Sequence, residues 1–156
     1  MRLSFQPVSL EQEPAASLVA AMRAEIADLY EGLDLAAEHM PKAGPAELGP
    51  PGGVFLVGFD QGGRPICAGG VKRLSGQACE IKRMYVVPEG RGRGLGRALL
   101  EALENAAREL GYSVARLDTG PRQPHAERMY RQAGYRPIGN FNDNPVASFF
   151  GEKPLS

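Results

Sequence analysis

The sequence predicts an α/β fold, a mixed central β-sheet with helices on both faces. Three observations predict it. The middle of the chain holds strand-length apolar runs separated by tight turns at Asp60-Gln61-Gly62-Gly63 and Ser75-Gly76, the pattern of antiparallel hairpins. Beyond residue 95 helical and strand patterns alternate, which requires a crossover. Between the two regions a glycine-rich turn joins the strongest strand to the clearest helix. The element order reads β-α-α-β-β-β-α-β-α-β-β.

Residues 2–10 alternate loosely and suit a first strand. From Pro14 the apolar positions Leu18, Ala21, Met22, Ile26, Leu29 and Tyr30 recur at helical spacing. Gly32 interrupts that pattern, and a short second helix is expected to reach about Met40. Pro41 to Gly53 carries four prolines and four glycines and reads as a loop. Val54 to Phe59 is a short apolar run, suited to a strand covered on both faces. Pro65 to Leu74 and Ala78 to Val87 follow as strands, the second ending abruptly at Pro88. Leu95, Ala98, Leu99, Ala102, Leu103, Ala106, Ala107 and Leu110 then mark an amphipathic helix that Gly111 ends. Ser113 to Asp118 is another strand, and Ala126, Met129, Tyr130 and Ala133 mark a short helix stopping at Gly134. Two last strands are expected near Tyr135 to Gly139 and Ala147 to Lys153.

A chain of 156 residues fits a single domain spanning 1–156. Lys+Arg and Asp+Glu are equal at 18 each, so no overall field favours nucleic acid or an anionic membrane. No apolar stretch approaches the ~18 residues needed to cross a bilayer, and the first residues lack a secretion-type apolar core. A cytoplasmic protein is expected. With Leu74 to Gln77 as a hairpin turn, paired residues sum to about 151, which sets Cys67 opposite residue 84 and Cys79 opposite residue 72. The two cysteines then do not face each other, and both are expected reduced and buried. No Cys/His/carboxylate spacing points to a metal.

The chemistry concentrates at Gly90 to Gly96. Glycines let a ligand approach the backbone, and the turn opens a helix whose first amides are unpaired at the positive end of its dipole. Arg91, Arg93 and Arg97 add donors suited to phosphate. The combination describes a pyrophosphate site. A P-loop is excluded because no lysine follows these glycines, and G-x-G-x-x-G fails from Gly90, Gly92 and Gly94, where the third position is Leu95, Arg97 and Leu99.

Arg91-Gly92-Arg93-Gly94-Leu95-Gly96 does fit R-x-x-G-x-G after a strand and before a helix. Together with the preceding Glu80 to Pro88 strand and the later Ala126-Glu127-Arg128-Met129-Tyr130-Arg131-Gln132-Ala133-Gly134-Tyr135, it resembles the GNAT acetyltransferase superfamily over roughly residues 54–155. The N-terminal third agrees in element order alone. The resemblance implies the GNAT fold, with a splay between strands 4 and 5 that admits the pantetheine arm of acetyl-CoA, the expected co-substrate.

Carried onto this sequence, the resemblance has the backbone of Tyr85, Val86 and Val87 meet pantetheine, with the amide of Val86 or Val87 at the thioester oxygen. Backbone N–H groups of Arg91, Gly92, Arg93, Gly94, Leu95 and Gly96 hold the pyrophosphate, aided by Arg97, and Gln123 touches the pantetheine arm. Tyr130 is the expected general acid for the departing thiolate, although it also falls on the apolar stripe of its helix and suits a core tyrosine. Glu80 is the expected general base. By period-two alternation it shares a face with Met84 and Val86, and its other reading is an ion pair with Lys72, Arg73 or Lys82.

His39 and His125 are weaker candidates. Glu25, Asp28, Glu31, Asp34 and Glu38 form an acidic stripe that either attracts a cationic amine or is a solvated face. The polar segment Phe141 to Asn144 is placed to shape the acceptor pocket. The activity implied is acetyl transfer to a primary amine of a small molecule or protein, by direct attack in a ternary complex. The alternative is a non-catalytic acyl-CoA-binding sensor or assembly module. Dimerisation is common in the family, so a homodimer is one assembly the resemblance allows.

Overall fold

The computed structural model describes residues 2–155. Seven strands form one sheet, ordered β1-β2-β3-β4-β5-β7-β6. They are β1 (Ser4–Pro7), β2 (Val54–Phe59), β3 (Pro65–Ser75), β4 (Ala78–Val86), β5 (Val114–Thr119), β6 (Arg136–Pro137) and β7 (Phe149–Pro154). The helices are α1 (Ala15–Leu29), α2 (Leu95–Glu109) and α3 (Pro124–Gln132). All neighbours pair antiparallel except β4 and β5, which run parallel.

Alternation divides the core into two layers. Phe55, Val57, Ala68 and Tyr85 pack with Ala15, Leu18 and Met22 of α1. Leu56, Cys67, Cys79 and Ile81 pack on the other face with Leu99, Leu100 and Leu103 of α2 and Tyr130 of α3. Gly69 and Gly70 let both layers approach β3, since a Cβ would come within 2.8 Å of Leu103 at the first and of Leu48 at the second. Burial of these aliphatic side chains contributes roughly 1.5–3 kcal/mol each. A buried Glu104 on α2 accepts from Tyr135 (2.8 Å) and Lys153 (3.0 Å), fastening that helix to the C-terminal strands.

The expected second helix before Met40 is absent. Glu31 and Gly32 both take positive φ (56° and 87°), which ends α1. Asp34 Oδ1 then accepts the Ala36 amide at 2.9 Å, and residues 30–40 form turns. An aspartate bonding its own backbone competes with helix formation. The acidic stripe is therefore no continuous helix face. Glu25 pairs with Arg91, Glu31 with Arg122 and Asp34 with Arg23.

The β3–β4 register also differs from the expected one. Cys67 faces Val86 and Cys79 faces Arg73, because irregularities interrupt the ladder at Ala68/Gly70 and Arg73/Ser75. Both thiols are free and buried, and burial pushes them up to about 11 and about 12.

Two departures from regular pairing shape the centre of the sheet. On β4, Arg83 and Met84 together oppose Gly69, a bulge in which Arg83 takes φ 59°. The bulge inverts the side-chain phase of the strand. Glu80 therefore does not share a face with Val86, which packs against the α2 layer. The second departure is a splay. β4 and β5 pair only from Ala78↔Val114 to Glu80↔Arg116, and beyond that β5 is held by β7 alone.

Candidate active site

After β4 the chain makes a 3-10 turn at Pro88–Gly90 and reaches α2 through Gly92 (φ 80°) and Gly94 (φ 76°). An L side chain at such φ costs roughly 1–2 kcal/mol, which explains both glycines. Gly94 is the N-cap of α2 and no side chain caps the helix. The first amides of α2, those of Leu95, Gly96 and Arg97, thus lack an intrahelical acceptor and sit at the positive end of the helix dipole. A Cβ on Gly92 or Gly94 would meet nothing within 4 Å, so the turn opens onto free space. Gly96 has a different purpose, since a Cβ there would lie 3.3 Å from Met129 Sδ on α3.

The three arginines divide. Arg91 donates to Glu25 of α1 (2.7 and 3.0 Å) and to the Val86 carbonyl (2.9 Å), with its guanidinium 5.6 Å from the Tyr85 ring centre. It straps the turn to α1. Arg97 lies 3.6 Å from Glu101 one turn along α2, and Arg93 is exposed without a partner among the described residues.

At the splay, the Val87 amide donates to the Ile66 carbonyl at 3.0 Å and is engaged within the sheet. Antiparallel ladders alternate, so the neighbouring Val86 turns its N–H and C=O to the opposite edge, toward the gap. The Val86 carbonyl meets Arg91 there. Of the three backbone positions expected to face pantetheine, Val86 is the one whose groups point outward. Tyr85 pairs with Ala68.

A cavity of about 120 Å³ lies beside the gap, under α1 and the turns that follow it. Met22, Ile26, Leu33, Leu35 and Met40 form an apolar wall. Facing it are Lys82, Arg83, Asp118, Gln123 and Tyr130. Tyr130 is buried, and its hydroxyl donates to Met84 Sδ at 3.7 Å. Burial, reinforced by Asp118, pushes its pKa above the usual tyrosine value, so the hydroxyl keeps its proton at neutral pH. Gln123 reaches the cavity, but its carbonyl oxygen accepts from Tyr30 at 3.0 Å.

Glu80 does not line this cavity. It is fully buried, and its Oε2 accepts from Lys82 (3.0 Å) and from Asn142 (2.8 Å) while Oε1 has no partner among the described residues. Of the ion-pair partners that the sequence offers Glu80, Lys82 is the one in contact. The same Asn142 amide donates to Asp118 Oδ2 (2.7 Å), as does Asn144 (3.0 Å). The polar loop expected to shape the pocket thus holds Asp118 at the cavity wall.

The sequence marks Lys82 only as an ion-pair partner of Glu80 and does not mark Arg83 or Asp118 as site residues. Their alternation along β4 and β5 gave no sign of a shared cavity, because the bulge and the splay decide it. His39 is exposed, and His125 is exposed beside Arg128 (2.6 Å), and neither lines the cavity. Among the described residues no group of three His, Cys, Asp or Glu converges as a metal set, and no helix is long and apolar enough to cross a membrane.

Comparisons with known proteins bear on the family and the fold. A family model described as acetyltransferase (GNAT) family matches residues 19–135. An uncharacterized N-acetyltransferase of Schizosaccharomyces pombe is 36% identical over 101 residues, 64% of this chain and 62% of that protein. The IAA acetyltransferase of Azospirillum brasilense is 38% identical over 104 residues, 65% of this chain and 67% of that protein. The match to the first of these relatives thus spans less than two thirds of its length. The solved structure of a candidate acyl-CoA N-acyltransferase from Klebsiella pneumoniae superposes with a TM-score of 0.79 at 29% identity, covering 99% of this chain and 98% of that one.

Proposed function

The chain belongs to the GNAT acetyltransferase family, and on that premise we propose that it moves an acetyl group from acetyl-CoA to a primary amine by direct attack in a ternary complex. The observation that carries this reading is the uncapped N-terminus of α2 at the mouth of the β4–β5 gap, with the Tyr130 cavity beside that gap. Acetyl-CoA supplies the activated acyl thioester, and the residues present fit it. The open space at Gly92 and Gly94 and the free amides of Leu95, Gly96 and Arg97 suit a pyrophosphate. Arg93, unpartnered among the described residues, is the turn's available cation, while Arg91 anchors the turn through Glu25.

The Val86 amide faces the gap and polarises the carbonyl oxygen of the bound acyl group, stabilising negative charge as it develops. Tyr130, held neutral by burial, donates its proton to the leaving sulfur. Deprotonation of the acceptor ammonium falls to Asp118, whose carboxylate stands at the cavity wall, bound by two amides through Oδ2. Glu80 sits behind it and contributes by fixing Lys82 and Asn142, which makes it a positioning residue.

The test is the thermal unfolding midpoint with saturating acetyl-CoA, ATP or NAD. A ligand at a hundred times its Kd stabilises by about 2.7 kcal/mol. For a chain of this length the midpoint rises by roughly 5–10 °C. A selective rise with acetyl-CoA, followed by CoA release with an amine, is expected. Equal or larger shifts with ATP or NAD would refute the reading.

A further inference from the structure

Three charged side chains line the cavity beside Tyr130, namely Lys82, Arg83 and Asp118. Two are matched within the protein. Lys82 is paired with Glu80 at 3.0 Å, and Asp118 accepts two side-chain amides. Arg83 is not, for among the described residues its guanidinium makes no hydrogen bond or ion pair with any side chain or carbonyl. The cation is half-buried, and this loss of solvation draws the Arg83 pKa below its usual value against the opposing pull of Glu80 and Asp118.

The backbone adds a second, independent sign. Arg83 takes φ 59°, a conformation that favours glycine or asparagine and disfavours a long side chain. A strained residue in a cavity wall points to a purpose other than packing. The bulge it creates places Arg83 where it lines both the Tyr130 cavity and a second cavity of about 440 Å³ enclosed by α1 and residues 35–47. Arg83 therefore borders both cavities, as Leu35, Met40 and Pro41 do.

We propose that the acceptor is an amino acid with an apolar side chain, whose carboxylate is bound by Arg83 while its amine faces Asp118 and Tyr130. This rests on the acetyl-transfer reading of the same cavity. A planar guanidinium with no internal partner offers a bidentate match to a carboxylate. Binding supplies the counter-charge that the protein withholds. The Met22, Ile26, Leu33, Leu35 and Met40 wall receives the apolar side chain. In the reaction one ammonium proton goes to Asp118, the amine nitrogen bonds the acyl carbon and the carbon–sulfur bond breaks. Tyr130 protonates the departing thiolate, and the second nitrogen proton, lost as the amide forms, restores the Tyr130 hydroxyl while Asp118 returns its proton to solvent.

The experiment compares L-methionine, L-leucine and L-phenylalanine with their carboxamides, as acceptors with acetyl-CoA and as ligands in the presence of CoA. The carboxamides have less basic amines, so more of each is free base at neutral pH, and intrinsic reactivity favours them. A kcat/KM at least about thirtyfold higher for the acids, with a midpoint rise for acids alone, is expected. Arg83→Asn tolerates positive φ and removes the cation. It is expected to bring the acid-to-amide ratio close to one while the acetyl-CoA midpoint shift persists, and Arg83→Lys restores part of the ratio. Equal use of acids and amides, an unchanged ratio in Arg83→Asn, or no response to any amino acid from protein that acetyl-CoA stabilises would each overturn the proposal. A protein that acetyl-CoA does not stabilise at all brings down the acetyl-transfer reading first, and this one with it.

Discussion

The two walls of the candidate site are built from different materials. The donor side, from β4 through α2, consists of backbone: the Val86 amide, two left-handed glycines and the uncapped first turn of a helix. The acceptor side consists of side chains, contributed by α1, by turns over residues 30–41 and by the bulged part of β4. Backbone sites recognise what all substrates of a reaction share and demand glycine at fixed spacing. Side-chain sites recognise what distinguishes one substrate from another, and no spacing rule binds them.

Substitutions that tell the two walls apart sharpen this contrast. The largest effect is expected at Gly94. In Gly94→Val a β-branched residue must adopt φ 76° at the N-cap of α2, so the first turn shifts and its amides lose their common direction. Acetyl-CoA affinity by calorimetry should fall by two to three orders of magnitude. Circular dichroism should show the helix retained. A loss of less than about fivefold would mean that the α2 amides do not hold the phosphates.

Tyr130→Phe comes next. The hydroxyl bonds only Met84 Sδ, a weak acceptor, so its removal costs little stability. As a general acid it is worth on the order of a hundredfold in kcat. Its pKa is raised, so the acid form persists through pH 10, and the wild-type rate should show no alkaline fall from this group below that pH. Full kcat in Tyr130→Phe, or an alkaline limb near pH 8 that the substitution abolishes, would break the assignment.

Glu80→Gln separates position from chemistry. The substitution keeps an oxygen for Asn142 but leaves the Lys82 ammonium buried without a counter-charge. Breaking a buried pair from one side is costly, here about 2–3 kcal/mol with part of the hydrogen bonding retained. The unfolding midpoint should drop by roughly 5–10 °C. The pH–rate profile should keep its shape, whereas Asp118→Asn, which removes the proposed base, should lower kcat on the order of a hundredfold.

The same division explains what the sequence revealed. Val54–Phe59 and the α2 stripe were legible because burial on a regular element leaves a period in the chain. The turn from Gly90 to Gly96 was legible because positive φ and an open helix end require glycine. Residues 30–40 were not. Their apolar positions resemble a continuing helix, but Leu33, Leu35 and Met40 line the cavity from turns that Gly32 and Asp34 impose. Arg83 was hidden for a related reason: one extra residue opposite Gly69 reverses which side chains of β4 face the cavity, and nothing in the composition of the strand announces it.

The smallest expected effect lies where the two walls touch. Arg91 belongs to the glycine turn, Glu25 belongs to α1, and their 2.7 Å contact is the one ion pair joining them among the described residues. Both side chains are more than one third exposed, at 45% and 37%, so solvent screens the pair and its worth is about 0–1 kcal/mol. Glu25→Gln should therefore change the unfolding midpoint by no more than about 2–4 °C. Arg91 keeps its bond to the Val86 carbonyl and its place over Tyr85, so the turn retains its course. Removing the carboxylate also frees a cation near the phosphate site, and acetyl-CoA affinity should rise by about twofold, more at low ionic strength than high. If Glu25→Gln instead weakens acetyl-CoA binding tenfold, the strap is what positions the turn, and the donor side depends on an α1 side chain as much as the acceptor side does.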